Sequence, residues 1–133
     1  MADAVTSQII FDGTRTAVMK FTNISDGTGE SAVLKVDVSA LTGFQGKTCT
    51  GVNIVTLDAM TVGMGVDILW DATTDVICYT IGADQFVSFE FSRFGGITNN
   101  AGSGKTGDIM FTTVGATAGD RYTIVLEMTK NFG

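Results

Sequence analysis

The sequence predicts an all-β protein, a single domain built as a jelly-roll-like antiparallel β-sandwich of eight or nine strands. Three observations support this prediction. The chain has 17 glycines and no proline among its 133 residues. Several runs alternate apolar and polar residues with a period of two, which is typical of half-buried strands. Turn-forming residues separate these runs at short intervals. The length fits one domain, residues 1–133, large enough to bury a core without disulfides.

Five runs show the alternation most clearly, and in each run the apolar residues share one face of the predicted strand. They are Ala17, Met19 and Phe21; Ala32, Leu34, Val36 and Val38; Val66, Ile68 and Trp70; Val87, Phe89 and Phe91; and Tyr122, Ile124, Leu126 and Met128. A further run, "GDIMFTTVG", alternates in the same way. Reversals are predicted between the runs at Asp12-Gly13, Asp26-Gly27, Gly63 with Gly65, 71–75, Gly82, Gly95-Gly96 and Gly119-Asp120.

The charge content limits the partners. The formal net charge is −6, so the chain repels phosphate backbones and we expect no nucleic-acid partner. Charged residues make up 17% of the chain, against about 25% in an average soluble domain. A chain with so little charge has little to spread over a free surface. We therefore expect part of the surface to be covered by partners.

The opening residues and the cysteines indicate the compartment. "MADAVTSQII" has neither the basic nor the apolar region of a secretory signal. No apolar run is long enough to span a membrane, so we expect no membrane partner. Synthesis and folding are then expected in a reducing cytoplasm. Cys49 and Cys78 are expected to be reduced and structural, with a disulfide left open.

One stretch, "NNAGSGKTGD", contains Gly104-Lys105-Thr106 and so resembles the end of a phosphate-binding P-loop. The position of the first P-loop glycine holds Asn99 instead. A P-loop must also leave a buried strand and open a helix, whereas the following run alternates like a strand. We predict a flexible loop with a solvated Lys105 and no nucleotide binding.

No other constellation predicts an enzyme, a metal site or a cofactor. The chain has no histidine, the most common general base and metal ligand. Asp26 and Glu30 could contribute to a calcium site, but a turn with two solvated acids is the favoured interpretation. Asp71 and Asp75 are expected to cap the reversal between two strands.

The aromatic residues allow two interpretations, a core or a platform on which sugar rings stack. The candidates for such a platform are Trp70, Phe86, Phe89, Phe91 and Phe94. Phe89 and Phe91 lie on the apolar face of their run, which favours the core for that pair. Trp70, Phe94 and Phe132 are predicted as interface residues, and burial of the Phe132 ring by a partner would favour association.

Three stretches together resemble a known family: "VMKFTNISDGTGESAVLKVDVSAL" (18–41), "WDATTDV" (70–76) and "NNAGSGKTGDIMFTTVGATAGDRYTIVLEMTK" (99–130). They are similar to small virion structural proteins of tailed bacteriophages, of the marine and cyanophage type. The resemblance extends over well over half the chain. It implies a small β-sandwich that coats or cements the assembled capsid.

The main hypothesis is therefore a capsid decoration (cement) protein on the capsid surface of the virion, made in the host cytoplasm. Its expected partners are the major capsid protein and further copies of itself, with a trimer favoured. The alternative is a structural or adhesin module of the tail or neck, with carbohydrate as a candidate ligand. A small enzyme ranks last.

Overall fold

The computed structural model describes residues 3–132, and strands account for most of them. Two short 3-10 helices interrupt the strand order, at Val38–Ala40 and at Ser92–Phe94. The prediction of an all-β fold with eight or nine strands is confirmed. The strands are β1 Ala4–Asp12, β2 Thr16–Ile24, β3 Val33–Val36, β4 Cys49–Val62, β5 Gly65–Trp70, β6 Val76–Ile81, β7 Phe86–Glu90, β8 Ile109–Val114 and β9 Arg121–Phe132.

The strands form two antiparallel sheets with the connectivity of a jelly roll. The larger sheet has the order β1-β2-β9-β4-β7, and the smaller sheet has the order β3-β8-β5-β6. Four pairs are nested within one another along the chain: β2 with β9, β3 with β8, β4 with β7, and β5 with β6. This nesting, in which the chain is rolled up as one long hairpin, defines the eight-stranded jelly roll. Strand β1 is a ninth strand added at the outer edge of the larger sheet.

The core lies between the sheets and contains the residues that alternation predicts for β2, β5 and β9. Phe21 packs edge-on against Phe111, with ring centroids 5.2 Å apart, and Phe111 packs in the same way against Tyr122 at 5.8 Å. The Trp70 side chain is 0% exposed. Its predicted interface role is therefore wrong, because Trp70 follows Val66 and Ile68 on the face of β5 that points into the sandwich.

Strand β3 departs from the predicted alternation. Leu34 is 49% exposed and Lys35 is buried, the reverse of the prediction. Two features explain the exchange. The pairing of β3 with β8 shifts register between Leu34 and Val36, which is the signature of a β-bulge. The Lys35 ammonium also forms an ion pair with the buried Glu30 carboxylate at 2.5 Å, which compensates for the loss of water around both groups.

Strand β7 also differs from the prediction, since Phe89 is 49% exposed and Phe91 lies just beyond the strand, before the second 3-10 helix. Strand β7 is short and forms an edge of the larger sheet. A residue at a sheet edge has neighbours on one side only, so its apolar face is incompletely covered. The core interpretation therefore fails for Phe89 and holds in part for Phe91, which packs against the core.

Candidate functional site

The first candidate surface lies on strand β1. Every residue from Ala4 to Phe11 is exposed, and four of them are large and apolar. We call these four residues the β1 strip; their exposed fractions are Val5 45%, Ile9 52%, Ile10 52% and Phe11 55%. No charged residue occurs between Asp3 and Asp12. Uncovered apolar side chains on an uncharged stretch of edge strand are typical of a surface that binds a partner.

Two residues of the strip, Val5 and Ile9, are uncovered because the two sheets differ in width. The larger sheet has five strands and the smaller has four. On one side the sheets end together: the ring centroids of Tyr79 in edge strand β6 and Phe89 in edge strand β7 lie 6.1 Å apart. The surplus strand β1 therefore overhangs on the other side. Val5 and Ile9 pair with buried residues of β2, Asn23 and Met19, so they occupy the core-facing side with no strand opposite.

A hydrogen-bonded cluster fixes the far end of β1. The Lys130 ammonium donates to the Asp12 carboxylate and to the carbonyl oxygens of Gly13 and Thr42. The Asp12 carboxylate also accepts from the backbone N–H of Thr42 at 3.0 Å. Partial burial acts to raise the pKa of Asp12, but the hydrogen bonds from Lys130 and Thr42 outweigh it, so the pKa lies below its ordinary value of 3.8.

The near end of β1 is fixed by Asp3. Its carboxylate accepts from the Asn23 amide at 3.0 Å and from the backbone N–H groups of Asp26 and Gly29 at 3.2 and 3.1 Å. Partial burial opposes ionisation, but these hydrogen bonds prevail and lower the pKa of Asp3. Both ends of the strand are thus held by charged groups, and the apolar residues lie between them.

A buried polar network lies behind the 25–30 turn. The Glu30 carboxylate accepts from Tyr122 Oη at 2.6 Å, from Asn23 Nδ2 at 2.9 Å and from Lys35 Nζ at 2.5 Å. Burial, followed by the Glu30 contact, raises the pKa of Tyr122, so its hydroxyl stays protonated and donates. Glu30 is therefore a buried structural acid and not the solvated acid that the sequence indicates. Asp26 accepts from the Thr28 N–H within its own turn, as expected.

The second candidate surface is a group of rings at the opposite side of the sandwich. We call Tyr79, Phe89, Phe91 and Phe94 the aromatic edge. The ring centroids of Tyr79 lie 6.1 Å from Phe89 and 6.2 Å from Phe91, and Phe91 lies 6.0 Å from Phe94. Phe94 is 62% exposed, so its ring is available to a ligand or a partner. The aromatic edge combines two exposed rings with two that pack inward.

A cavity of about 500 Å³ adjoins the aromatic edge. Its walls include Trp70, Phe94, Thr98 and Asn100. The structure thus brings together two residues that the sequence analysis places at an interface, Trp70 and Phe94, although Trp70 contributes from inside the core. The Trp70 indole Nε1 is buried and has no hydrogen-bond partner among residues 3–132. A surface with an exposed ring and nearby amide and hydroxyl groups has the composition that binds polar ligands with an apolar face.

The third predicted interface residue, Phe132, lies in the β9 ladder opposite Cys49 and away from the aromatic edge. Its side chain is partly buried against the core, and its ring centroid lies 6.1 Å from that of Phe44. Part of the ring is thus already covered within the chain. An interface role for Phe132 and for Phe94 stays a prediction.

The loop that resembles a P-loop leads directly into strand β8, as its alternation predicts. The loop is attached to the β5–β6 turn and is not free. The Thr106 hydroxyl donates to the Asp71 carboxylate at 2.8 Å, and the Thr106 N–H donates to the Asp71 carbonyl oxygen at 3.1 Å. The Thr73 N–H donates to the Ser103 carbonyl oxygen at 3.1 Å. Thr106 therefore has a structural role, while Lys105 is exposed, as expected.

A polar cleft of about 860 Å³ lies beside this loop, and its walls include Asp37, Asn53, Lys105, Asp108 and Asn131. The Asn131 amide donates to the Asn53 amide oxygen at 3.2 Å. Burial raises the pKa of Asp108, and the neighbouring Asp37 carboxylate adds to this effect. Two carboxylates beside one lysine give the cleft no net positive charge, so an anionic ligand is disfavoured there.

The remaining chemistry is limited. Cys49 is buried, Cys78 is half-buried, and both are free thiols. Burial raises the pKa of Cys78 to about 12, which leaves almost no nucleophilic thiolate at neutral pH. In the part of the chain from residue 3 to 132, no group of three or more His, Cys, Asp or Glu side chains could hold a metal ion. Over the same residues, no helix has the length and apolar character needed to cross a membrane.

Comparisons with known proteins give a general likeness only. No protein-family model matches the chain, and no curated protein matches it. Among solved structures, a mutant of a family 29 carbohydrate-binding module is similar at 11% identity and a TM-score of 0.40, covering 96% of this chain and 93% of that one. Another mutant of that module, complexed with cellulohexaose, is similar at 12% identity and a TM-score of 0.41, covering 95% and 91%. At these values, nothing about the module's ligand carries over to this chain.

Proposed function

We propose that this protein is a virion structural protein of a tailed bacteriophage, which decorates the outer surface of the assembled head. Its partner is the major capsid protein, and its role is to bind and stabilise the shell without catalysing a reaction. The resemblance of residues 18–41, 70–76 and 99–130 to such proteins supports this function. The jelly roll occurs in capsid proteins and also in lectins, so the fold alone does not decide between them.

The observation that carries the proposal is the uncovered β1 strip. Each of its four side chains is about half exposed. Covering the exposed half of such a side chain contributes roughly 0.8–1.5 kcal/mol. Val5 and Ile9, which share the core-facing side of β1, therefore offer one partner on the order of 1.5–3 kcal/mol before the costs of association. A protein that acts alone gains nothing from an overhanging strand with an uncharged apolar stretch, which favours aggregation. A protein that binds a capsid surface gains binding energy when these apolar side chains are covered there.

The test is occupancy on heads that lack the protein. Purified protein is added to such heads, and cryo-electron microscopy measures the fraction of surface positions that are filled. We expect the Ile9→Lys variant to fill far fewer positions at equal concentration, because it places a charge in the strip. Phe86→Lys is the matched control, since Phe86 is 73% exposed on the opposite edge strand of the same sheet.

Normal occupancy by Ile9→Lys would contradict attachment through the β1 strip. If the native protein fills no positions on the head, the decoration function itself is wrong. Density at the tail or neck would instead favour the alternative location. Circular dichroism of each variant tests whether a loss of occupancy is caused by unfolding.

A second candidate function is carbohydrate binding, as in an adhesin of the tail or neck. The aromatic edge and its cavity favour it specifically. Sugar rings stack on aromatic side chains through their C–H faces, while their hydroxyls need hydrogen-bonding groups nearby. Phe94 supplies an exposed ring, and Thr98 and Asn100 line the adjoining cavity.

A glycan array tests this second function directly. We expect a glycan that binds the native protein to lose binding in the Phe94→Ala variant and to keep it in Phe86→Ala. The control removes an even more exposed ring outside the aromatic edge, 73% against 62%. Absence of binding to every glycan, or equal losses in both variants, would reject carbohydrate binding at this site.

A further inference from the structure

We propose that β1 pairs antiparallel with the β1 strand of a second copy, joining the two larger sheets into one ten-stranded sheet. The inference builds on the proposed role of the β1 strip as an attachment surface, and it names a second copy as the first partner. Pairing places Val5 and Ile9 of both copies side by side on the core-facing side of the joined sheet. The dimer then presents these four apolar side chains together to the capsid.

The backbone of β1 has one free edge. Its inner edge pairs with β2 from Ala4 to Asp12, and among residues 3–132 no strand pairs with its outer edge. Half of the N–H and C=O groups of an edge strand therefore point away from the sheet. The stretch from Ala4 to Ile9 is regular, because the bulge begins after Ile9. It offers six residues of straight strand to a partner.

The register follows from the symmetry of a strand that pairs with itself. Directly opposed residues must lie on the same face and must turn their hydrogen-bonding groups the same way, both toward the partner strand or both away from it. Two residues can therefore oppose each other only when their residue numbers add to an even number. In the register with Ser7 on the two-fold axis, Val5 lies opposite Ile9 of the second copy on the core-facing side. A shift by two residues toward the start would place Val5 opposite Ser7. The register with Ser7 on the axis forms the Val5–Ile9 pair twice, once on each side of the axis, whereas centring on Val5 or Ile9 would form only one apolar pair.

The charges also allow self-pairing. No Lys, Arg, Asp or Glu occurs from Ala4 to Phe11, so two β1 strands meet without like-charge repulsion. The acids at the ends are engaged within their own chain, Asp12 with Lys130 and Asp3 with Asn23. Edge strands of monomeric proteins are usually protected by lysine or proline, and this edge has neither.

A strand paired with its own copy gives a two-fold contact. The assembly unit that we infer is a dimer, and it differs in symmetry from the trimer predicted from the sequence. Each copy contributes the same residues, so one substitution changes the interface twice. This property makes the register testable with single variants.

The first experiment is cysteine cross-linking of the full chain, in a background in which the half-buried Cys78 is replaced by serine. Ser7→Cys places two thiols opposite each other on the axis, within disulfide reach. Gln8→Cys is the matched control, because Gln8 opposes Thr6 of the second copy. The two Gln8 residues are diagonal neighbours whose Cα atoms lie more than about 7 Å apart, too far for a disulfide. Under mild oxidation we expect roughly tenfold more covalent dimer from Ser7→Cys.

Sedimentation provides the second measurement. The native protein is expected to sediment as a dimer, and Ser7→Lys as a monomer, because two lysines then face each other on the axis. Equal cross-linking of the two cysteine variants, or a native monomer, would overturn the inference. Occupancy on heads separates this result from the proposed function. If the protein forms dimers that do not bind heads, the decoration function is wrong but self-pairing stands. If monomers fill the heads, self-pairing is wrong but the decoration function stands.

Discussion

The buried Glu30 network allows the most quantitative prediction. Glu30 and Lys35 side chains are 5% and 3% exposed, and their charged atoms lie 2.5 Å apart. The Glu30→Ala substitution removes the carboxylate and leaves the Lys35 ammonium buried without its counter-charge. It also removes the acceptor of the Tyr122 hydroxyl. We expect this single change to weaken the fold strongly while both sheets remain intact.

The magnitude follows from two contributions. Breaking a buried ion pair by removing one partner costs about 3–5 kcal/mol. A buried hydroxyl left without an acceptor costs about 1–3 kcal/mol. Water entering the space left by Glu30 recovers part of this, so we expect a net loss of about 3–5 kcal/mol. The double variant Glu30→Gln/Lys35→Met keeps an acceptor for Tyr122 and has no buried charge, so it should lose only about 1 kcal/mol.

Urea unfolding measures these losses. The single tryptophan, Trp70, is fully buried, so its fluorescence reports unfolding of the core. Arg121→Met, at an exposed position, is the control for loss of a surface charge. A Glu30→Ala loss below about 1 kcal/mol would show that the ion pair is not desolvated. A double variant as unstable as Glu30→Ala would show that the buried charge is not the cause.

Three further predictions concern other sites. The pKa of Asp12 is lowered in the folded protein, so the stability that its carboxylate contributes is present above pH 3.8 and is lost as the pH falls through the lowered pKa. Asp12→Asn should therefore make the melting temperature less dependent on pH in the acid range. An unchanged dependence would contradict the role of the contact between Asp12 and Lys130. The Cys78 thiol, with a pKa of about 12, should react slowly with iodoacetamide at about pH 8 and rapidly after unfolding, and fast labelling of the native protein would contradict its burial. Gly107→Ala should lower the free energy of unfolding in urea by more than about 2 kcal/mol, because φ is +87° and an added Cβ would lie 2.1 Å from a backbone oxygen. Gly115→Ala should lower it by only about 1 kcal/mol, because φ is +71° but the space around the added Cβ is open. Similar losses in the two variants would show that the structure relaxes around the close contact at Gly107.

Alternation predicts strands well where the two sheets cover each other. Phe21 in β2 and Leu126 in β9 lie near the middle of the larger sheet, and their apolar positions are buried as predicted. The prediction fails at the edges. Phe89 keeps the alternation but loses its cover, because coverage depends on which strands lie opposite. A local pattern in the sequence contains no information about the width of the other sheet.

The candidate surfaces could be predicted only in part. Phe94 was identified because it follows a strand, and it is exposed. The interface prediction for Trp70 is wrong, although the alternation itself places Trp70 on the same face as Val66 and Ile68, which is buried. The β1 strip was missed, although the uncharged run from Ala4 to Phe11 contained its signal. The sequence predicts Glu30 as a solvated acid, and its buried role could not be predicted because its partner Tyr122 is far away in the sequence.

The nested order of the jelly roll has a consequence for the folding of the chain. Strand β9 lies between β2 and β4 in the larger sheet, so Thr16 pairs with Thr129 and Ile54 with Met128. Strands β2 and β4 thus leave the ribosome before the strand that joins them has been made. Such sequence-distant pairings make folding slow, because a long loop must close before its contacts form. We expect the nascent chain to stay open until β9 is released and then to fold in one cooperative step.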